Sequence, residues 1–174
     1  VEQAARYSFN ASHSLSYAYD SLYGAYLKSH YPYEYYTTTL NYYSDDNERT
    51  LKLANELKYF NISLKPIKFR NSEANYSFNK EAKAIYKGIA SIKYMNAQIA
   101  NGMYELRNNR YDTFMDLLFD LKSKTTLNAR QLKILIELDF FEEFGDANEL
   151  MKEYEMFEIF NGRLQVKKET ISQM

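Results

Sequence analysis

The chain has no cysteine and no tryptophan, and only two prolines, five glycines and two histidines among 174 residues. Without cysteine it has no disulfide, no thiolate metal site and no thiol nucleophile, which fits a reducing cytoplasm. The histidines, His13 and His30, stand 17 residues apart, and the five glycines form no phosphate-cradling loop. No apolar run approaches the ~18 residues needed to span a bilayer, so no membrane role is expected. No basic stretch followed by an apolar one marks a secretory leader. Residue 1 is Val, set within a helical pattern, so a longer parent protein is expected.

Tyrosine and phenylalanine are abundant, 18 and 11 residues respectively. A tyrosine ring with a polar tip suits half-buried helix faces and contact surfaces, so core packing is the first expectation and base stacking the second. Net charge is −1, unevenly spread. Residues 1–50 carry three basic and six acidic groups, and residues 131–174 carry five and ten. Residues 51–130 carry fourteen and seven, a local excess of +7. A basic middle is what a phosphate-facing surface needs, while a solvated helix face rich in lysine gives the same count.

Leu15, Ala18, Leu22, Ala25 and Tyr26 recur at helical steps, predicting a helix over 3–29 with Ser12 or Ser14 as a cap. His30-Tyr31-Pro32 ends it, and Pro32 opens a second helix to about Tyr43. Ser44-Asp45-Asp46-Asn47 reads as a turn whose side chains cap a helix from Glu48 to Tyr59. Asp45-Asp46 could suggest a metal-binding pair, but capping is the better reading at that position. Asn61 suits a left-handed cap. An extended piece from Ile62 to Phe69 and an irregular or hairpin-like stretch over 70–82 follow, with Tyr76 and Phe78 as inward strand positions. Helical patterns resume at Ile85–Ile92, Asn96–Asn108, Tyr111–Leu121, Asn128–Leu138 and Ala147–Phe157. The tail after Asn161-Gly162 is expected to form a short hairpin or to fray.

Several segments, taken in order, resemble one family. Phe9-Asn10-Ala11-Ser12-His13, with Tyr17 and then Ala25-Tyr26-Leu27-Lys28 and His30-Tyr31-Pro32, is similar to the fingers motif of bacterial family C replicative polymerases, the polymerase III alpha subunits. Asp46-Asn47 resembles the start of that family's Asp-Asn-x-x-Lys helix. Ile62-Ser63-Leu64-Lys65-Pro66, Asn71-Ser72 and Tyr76-Ser77-Phe78 resemble the segment after it. Ile89-Ala90-Ser91-Ile92-Lys93 resembles the entry to a helix-hairpin-helix. Tyr111 to Leu117, and Leu127-Asn128-Ala129-Arg130-Gln131-Leu132 through Phe140-Phe141, match the helical region beyond.

The resemblance implies a mostly α chain: a helical fingers subdomain, then a degenerate tandem helix-hairpin-helix subdomain, with a short extended or β segment near 62–82. The implied divisions are 1–61 for the end of the fingers, 62–82 for a connector, 83–160 for the helix-hairpin-helix region and 161–174 for the tail. It further implies part of a DNA-directed DNA polymerase, inert by itself, that positions the incoming deoxynucleotide and holds duplex DNA. Tyr7, Asn10, Ser12 and His13 match nucleotide-side positions, and Ala11 stands where the family has lysine. The catalytic aspartates and their two Mg²⁺ ions would lie outside this chain. Expected partners are primer–template DNA and deoxynucleoside triphosphate, with the sliding clamp and other replisome subunits engaged through the parent.

The hairpin departs most from the pattern. Tyr94-Met95-Asn96 stands where Gly-Val-Gly is expected, and Leu138-Asp139 replaces Ser-Gly. A bulky Tyr94 obstructs close approach of backbone to phosphate, whereas Asn96 tolerates a left-handed conformation. Lys87, Lys93, Asn96 and Arg130 are the candidate DNA contacts, with a weakened grip. The competing expectation is a stand-alone helical DNA-binding or protein-adaptor module that kept the scaffold without polymerase activity.

Overall fold

The computed structural model describes residues 11–160, and the chain divides into two compact units between Ile62 and Ser63. Tyr7, Asn10 and the tail over 161–174 lie outside the described residues.

In the first unit, α1 (Ala11–His30) is followed by α2 (Pro32–Tyr42) and α3 (Asn47–Leu57). Proline at the start of α2 loses nothing there, because its missing N–H would have no helical partner. Asp46 caps α3 by accepting from the Arg49 N–H at 3.0 Å and also pairs with the Arg49 side chain. A single 3₁₀ turn, Lys58–Phe60, extends α3, and Asn61 turns the chain in the left-handed region at φ 54°, ψ 35°. Ser12 and Ser14 lie inside α1, so neither is its cap. The expected apolar stripe forms, and none of the described residues buries it. No residue of α1 is buried, and Leu15, Leu22 and Tyr26 are exposed.

The unit's core is Tyr36, Leu40, Leu57 and Ile62. A polar network from all three helices sits at its edge. Glu56 accepts from the Lys28 ammonium at 2.6 Å and from the Tyr36 hydroxyl at 2.9 Å. The Lys28 ammonium holds the Glu56 carboxyl below the usual carboxylate range, and Glu56 in turn raises Lys28. Burial, with Glu56 adding to it, pushes the Tyr36 phenol up to about 12.

The second unit begins with a small mixed sheet of β1 (Ser63–Lys65), β2 (Ser77–Asn79) and β3 (Ala84–Tyr86), in the order β1-β3-β2. β1 runs parallel to β3 with Leu64 opposite Ile85, and β2 runs antiparallel with Phe78 opposite Ile85. The helix expected over Ile85–Ile92 is therefore wrong: the segment is a strand followed by one 3₁₀ turn, Ile89–Ser91. Pairing across the chain leaves Ala84 and Ile85 fully buried and overrides their helical spacing. Tyr76 points inward as expected, but Phe78 is 39% exposed, so it is not an inward position.

Four helices complete the unit: α4 (Ala97–Leu106), α5 (Phe114–Lys124), α6 (Ala129–Glu137) and α7 (Ala147–Ile159). Each opens on a side-chain cap, from Asn96, Thr113, Asn128 and Asp146 in turn. Thr113 and Asp116, like Asn128 and Gln131, form reciprocal capping boxes. Their apolar faces close one core that includes Phe69, Ile89, Met103, Leu117, Leu135, Phe141 and Tyr154.

Candidate nucleic-acid interface

The first hairpin runs from the 3₁₀ turn Ile89–Ser91 into α4, and its geometry reverses one expectation. Tyr94, not Asn96, adopts the left-handed conformation, at φ 72°. Asn96 is extended at φ −141° and caps α4, its side-chain oxygen accepting from the Ile99 N–H at 2.9 Å. A left-handed backbone costs a side chain with a Cβ roughly 1–2 kcal/mol, so the surroundings must hold Tyr94 there. They do so at two points. The Tyr94 carbonyl accepts from the Gln131 side-chain amide at 2.7 Å, and the Arg130 guanidinium lies 3.8 Å from the centre of the Tyr94 ring. Lys93 places its ammonium 5.1 Å from the same ring.

Of the predicted DNA contacts, Lys93, Asn96 and Arg130 thus gather around one exposed tyrosine at the start of α4 and α6. The positive helix end adds to the charge there. Lys87 stands apart. It is half-buried at the end of β3, where its N–H donates to the Lys65 carbonyl at 3.0 Å. Sequence reasoning missed Tyr94 as an organiser and Gln131 as its anchor. The helix over Asn128–Leu138 was expected, but the reach of Gln131 to a residue 37 positions away was not visible in the sequence.

Part of the basic charge of residues 51–130 is paired inside the fold, and Lys68 and Arg70 pair with carboxylates from outside that stretch. Lys68 pairs with Glu142 and donates to the Asp139 carbonyl at 3.0 Å. Arg70 pairs with Glu143 at 2.6 Å, donates to the Arg107 and Asn109 carbonyls, and stacks on Phe69. Lys124 and Arg110 pair with Asp120 and Asp112. Lys93 and Arg130 have no carboxylate partner among the described residues.

The second hairpin repeats the backbone feature. Asp139 stands in the left-handed region at φ 53°. Beneath it Phe140 and Phe141 are buried, and the Phe140 carbonyl accepts from the Phe69 N–H at 3.0 Å.

Of the predicted nucleotide contacts, Ser12 and His13 lie in the first turn of α1. The His13 ring meets Tyr17 edge-on with centroids 4.5 Å apart. His30 closes the same helix, stacked on Tyr26 and bonded to its carbonyl through Nδ1 at 3.1 Å. No cluster of three or more metal-binding side chains occurs among the described residues.

The helix-hairpin-helix motif family matches residues 61–151. The chain is 30% identical over 160 residues to the DNA polymerase III subunit alpha of Ureaplasma parvum, covering 90% of this chain and 16% of that protein. It is 31% identical over 145 residues to the same subunit of Aquifex aeolicus, covering 82% of this chain and 12% of the relative. The Escherichia coli subunit is 30% identical over 148 residues, with 83% of this chain and 12% of the relative covered. The chain therefore spans between 12% and 16% of the length of these relatives.

Proposed function

Because the chain belongs to the helix-hairpin-helix family and is homologous over most of its length to DNA polymerase III alpha subunits, we propose that it joins the end of the polymerase fingers to a DNA-holding helical region. The observation that carries this reading is continuity. The similarity takes in between 82% and 90% of the chain, more than the second unit alone could supply, so it runs through both units.

The reaction proposed for the parent is templated transfer of a deoxynucleotidyl group. A primer 3′ hydroxyl attacks the α-phosphorus of the incoming triphosphate, the new phosphodiester bond forms and pyrophosphate leaves. Carboxylates outside this chain would hold two Mg²⁺ ions, which would supply Lewis-acid stabilisation of the charge that develops in the transfer. This segment's share is binding. Tyr7 and His13 would flank the sugar and the triphosphate, a ring beside the sugar excluding a 2′ hydroxyl by shape and the imidazole donating to a phosphate oxygen. Asn10 and Ser12 would orient the turn that presents them. Lys93 and Arg130 would contact duplex phosphates without reading sequence, and Asn96 would fix the start of α4 beside them. The sliding clamp and other replisome subunits would be reached through the parent.

Substituting His13→Ala in the full-length polymerase tests the nucleotide side. The expected result is a Michaelis constant for deoxynucleotides raised by roughly tenfold, or weaker rejection of ribonucleotides, with folding intact. Unchanged values for both would contradict the assignment.

A further inference from the structure

Four described arginines lie over aromatic rings, and three of them also donate to protein acceptors. Arg49 stacks on Tyr43 and pairs with Asp46. Arg70 stacks on Phe69 and donates to Glu143 and to two carbonyls. Arg107 stacks on Tyr104 and donates to its carbonyl at 2.8 Å. Arg130 alone among the four stacks, on Tyr94, with no acceptor for its guanidinium N–H groups among the described residues.

From this contrast we infer that Tyr94 is a positioning residue that presents the Arg130 guanidinium to a nucleic-acid phosphate. The hairpin then grips the DNA backbone with a stacked side chain instead of with exposed backbone N–H groups. The inference deepens the DNA-binding reading above and rests on it.

The geometry suits the task. Stacking engages the flat face of a guanidinium, while its five donors lie in the plane and point outward. A planar fork matches the paired oxygens of a phosphate, and holding it against a ring removes rotamer freedom before binding. The charge stays, because a ring attracts a cation without neutralising it. Lys93, the residue before Tyr94, brings a second charge to the same ring. The left-handed turn at Tyr94 is what carries the ring to Arg130, and Gln131, next to Arg130 on α6, holds that turn through the Tyr94 carbonyl. One short run, Asn128 to Gln131, thus caps its own helix, supplies the cation and anchors the residue beneath it.

The test is titration of the full 174-residue chain with a labelled duplex of mixed sequence, read by fluorescence anisotropy across a salt series. Tyr94→Phe keeps the ring and should bind as the parent chain does. Tyr94→Ala should weaken binding about 2- to 5-fold, and Arg130→Lys, which keeps the charge but not the plane, should weaken it similarly. Arg130→Ala should in addition reduce the slope of log affinity against log salt by about 1. Native affinity and slope in both Tyr94→Ala and Arg130→Lys would overturn the inference alone. If Tyr94→Ala fails to fold, Arg130→Lys at an exposed helix position decides the matter by itself. A parent chain that binds no duplex at low salt would overturn the DNA-binding reading and this inference together.

Discussion

The side-chain amide of Gln131 donates to the carbonyl of Tyr94 at 2.7 Å, which ties the first hairpin to the start of α6. Gln131 is buried and accepts from the Asn128 N–H at 3.0 Å with its other end, so one side chain closes a capping box and a hairpin. Substituting Gln131→Leu keeps the bulk and removes both bonds. It should cost about 1–3 kcal/mol, since it strands a carbonyl and an N–H away from water. Denaturant titration of the variant measures this, and a loss below about 0.5 kcal/mol would contradict the anchoring role.

Gly88 should accept no side chain. It lies where the 73–75 segment crosses the chain, with the Ile89 N–H donating to the Glu73 carbonyl at 2.9 Å. A Cβ there would stand 2.7 Å from both the Ala74 oxygen and the Asn75 Cα. Those are backbone atoms and cannot swing aside. Gly88→Ala should therefore destabilise the second unit by roughly 2 kcal/mol or more, seen as a lower denaturation midpoint. An unchanged midpoint would show that the crossing is looser than described.

Asp139 offers the opposite experiment. Its backbone sits at φ 53°, its side chain is exposed, and the contact it makes with Lys68 uses the carbonyl. Asp139→Gly relieves the left-handed conformation while leaving that carbonyl in place. A gain of roughly 0.5–1 kcal/mol is expected, the unfolded-state entropy of glycine offsetting part of the relief. Destabilisation instead would assign the Asp139 side chain a structural role.

The local parts of this fold were legible in the sequence, and the non-local parts were not. Pro32, Asp46, Asn61 and Asn128 act on neighbours within four residues, so their roles as helix starts and stops could be read directly. The strand Ala84–Tyr86 could not. Its partner Ser63–Lys65 lies some twenty residues earlier in parallel register, and Ile85, Ile89 and Ile92 mimic a helical stripe. The same limit hid the charge balance, because Lys68 and Arg70 meet Glu142 and Glu143 more than seventy residues away. At the hairpin, propensity pointed to Asn96 as the left-handed residue. Capping of α4 claims Asn96, and tertiary contacts to Arg130 and Gln131 hold Tyr94 there instead.

The Lys28, Tyr36 and Glu56 network gives the first unit a pH dependence at both ends. Glu56 is held below its ordinary value of 4.5, so its contribution is present above that value and is lost as pH falls through the lower folded one. Tyr36 is raised from 10.0 to about 12, so its contribution is full below 10 and is lost as pH rises toward 12. Lys28, also raised, is lost in the same alkaline direction. The pair is partly exposed, which limits its worth at neutral pH to about 1 kcal/mol. Glu56→Gln should flatten the acid limb and Tyr36→Phe the alkaline one, as followed by circular dichroism against pH. Profiles parallel to the parent chain's would remove the network as their source.

The central claim places the grip on DNA at the first hairpin, where Lys93 and Arg130 meet over Tyr94. The most direct test compares two charge-matched double variants in a duplex-binding titration across salt. One removes Lys93 and Arg130, and the other removes Lys52 and Lys152, both exposed and outside the hairpin. The hairpin variant should lose about tenfold in affinity and its log–log salt slope should shrink by about 2, while the control binds nearly as the parent does. Equal losses in the two variants, or binding that does not respond to salt, would contradict the account.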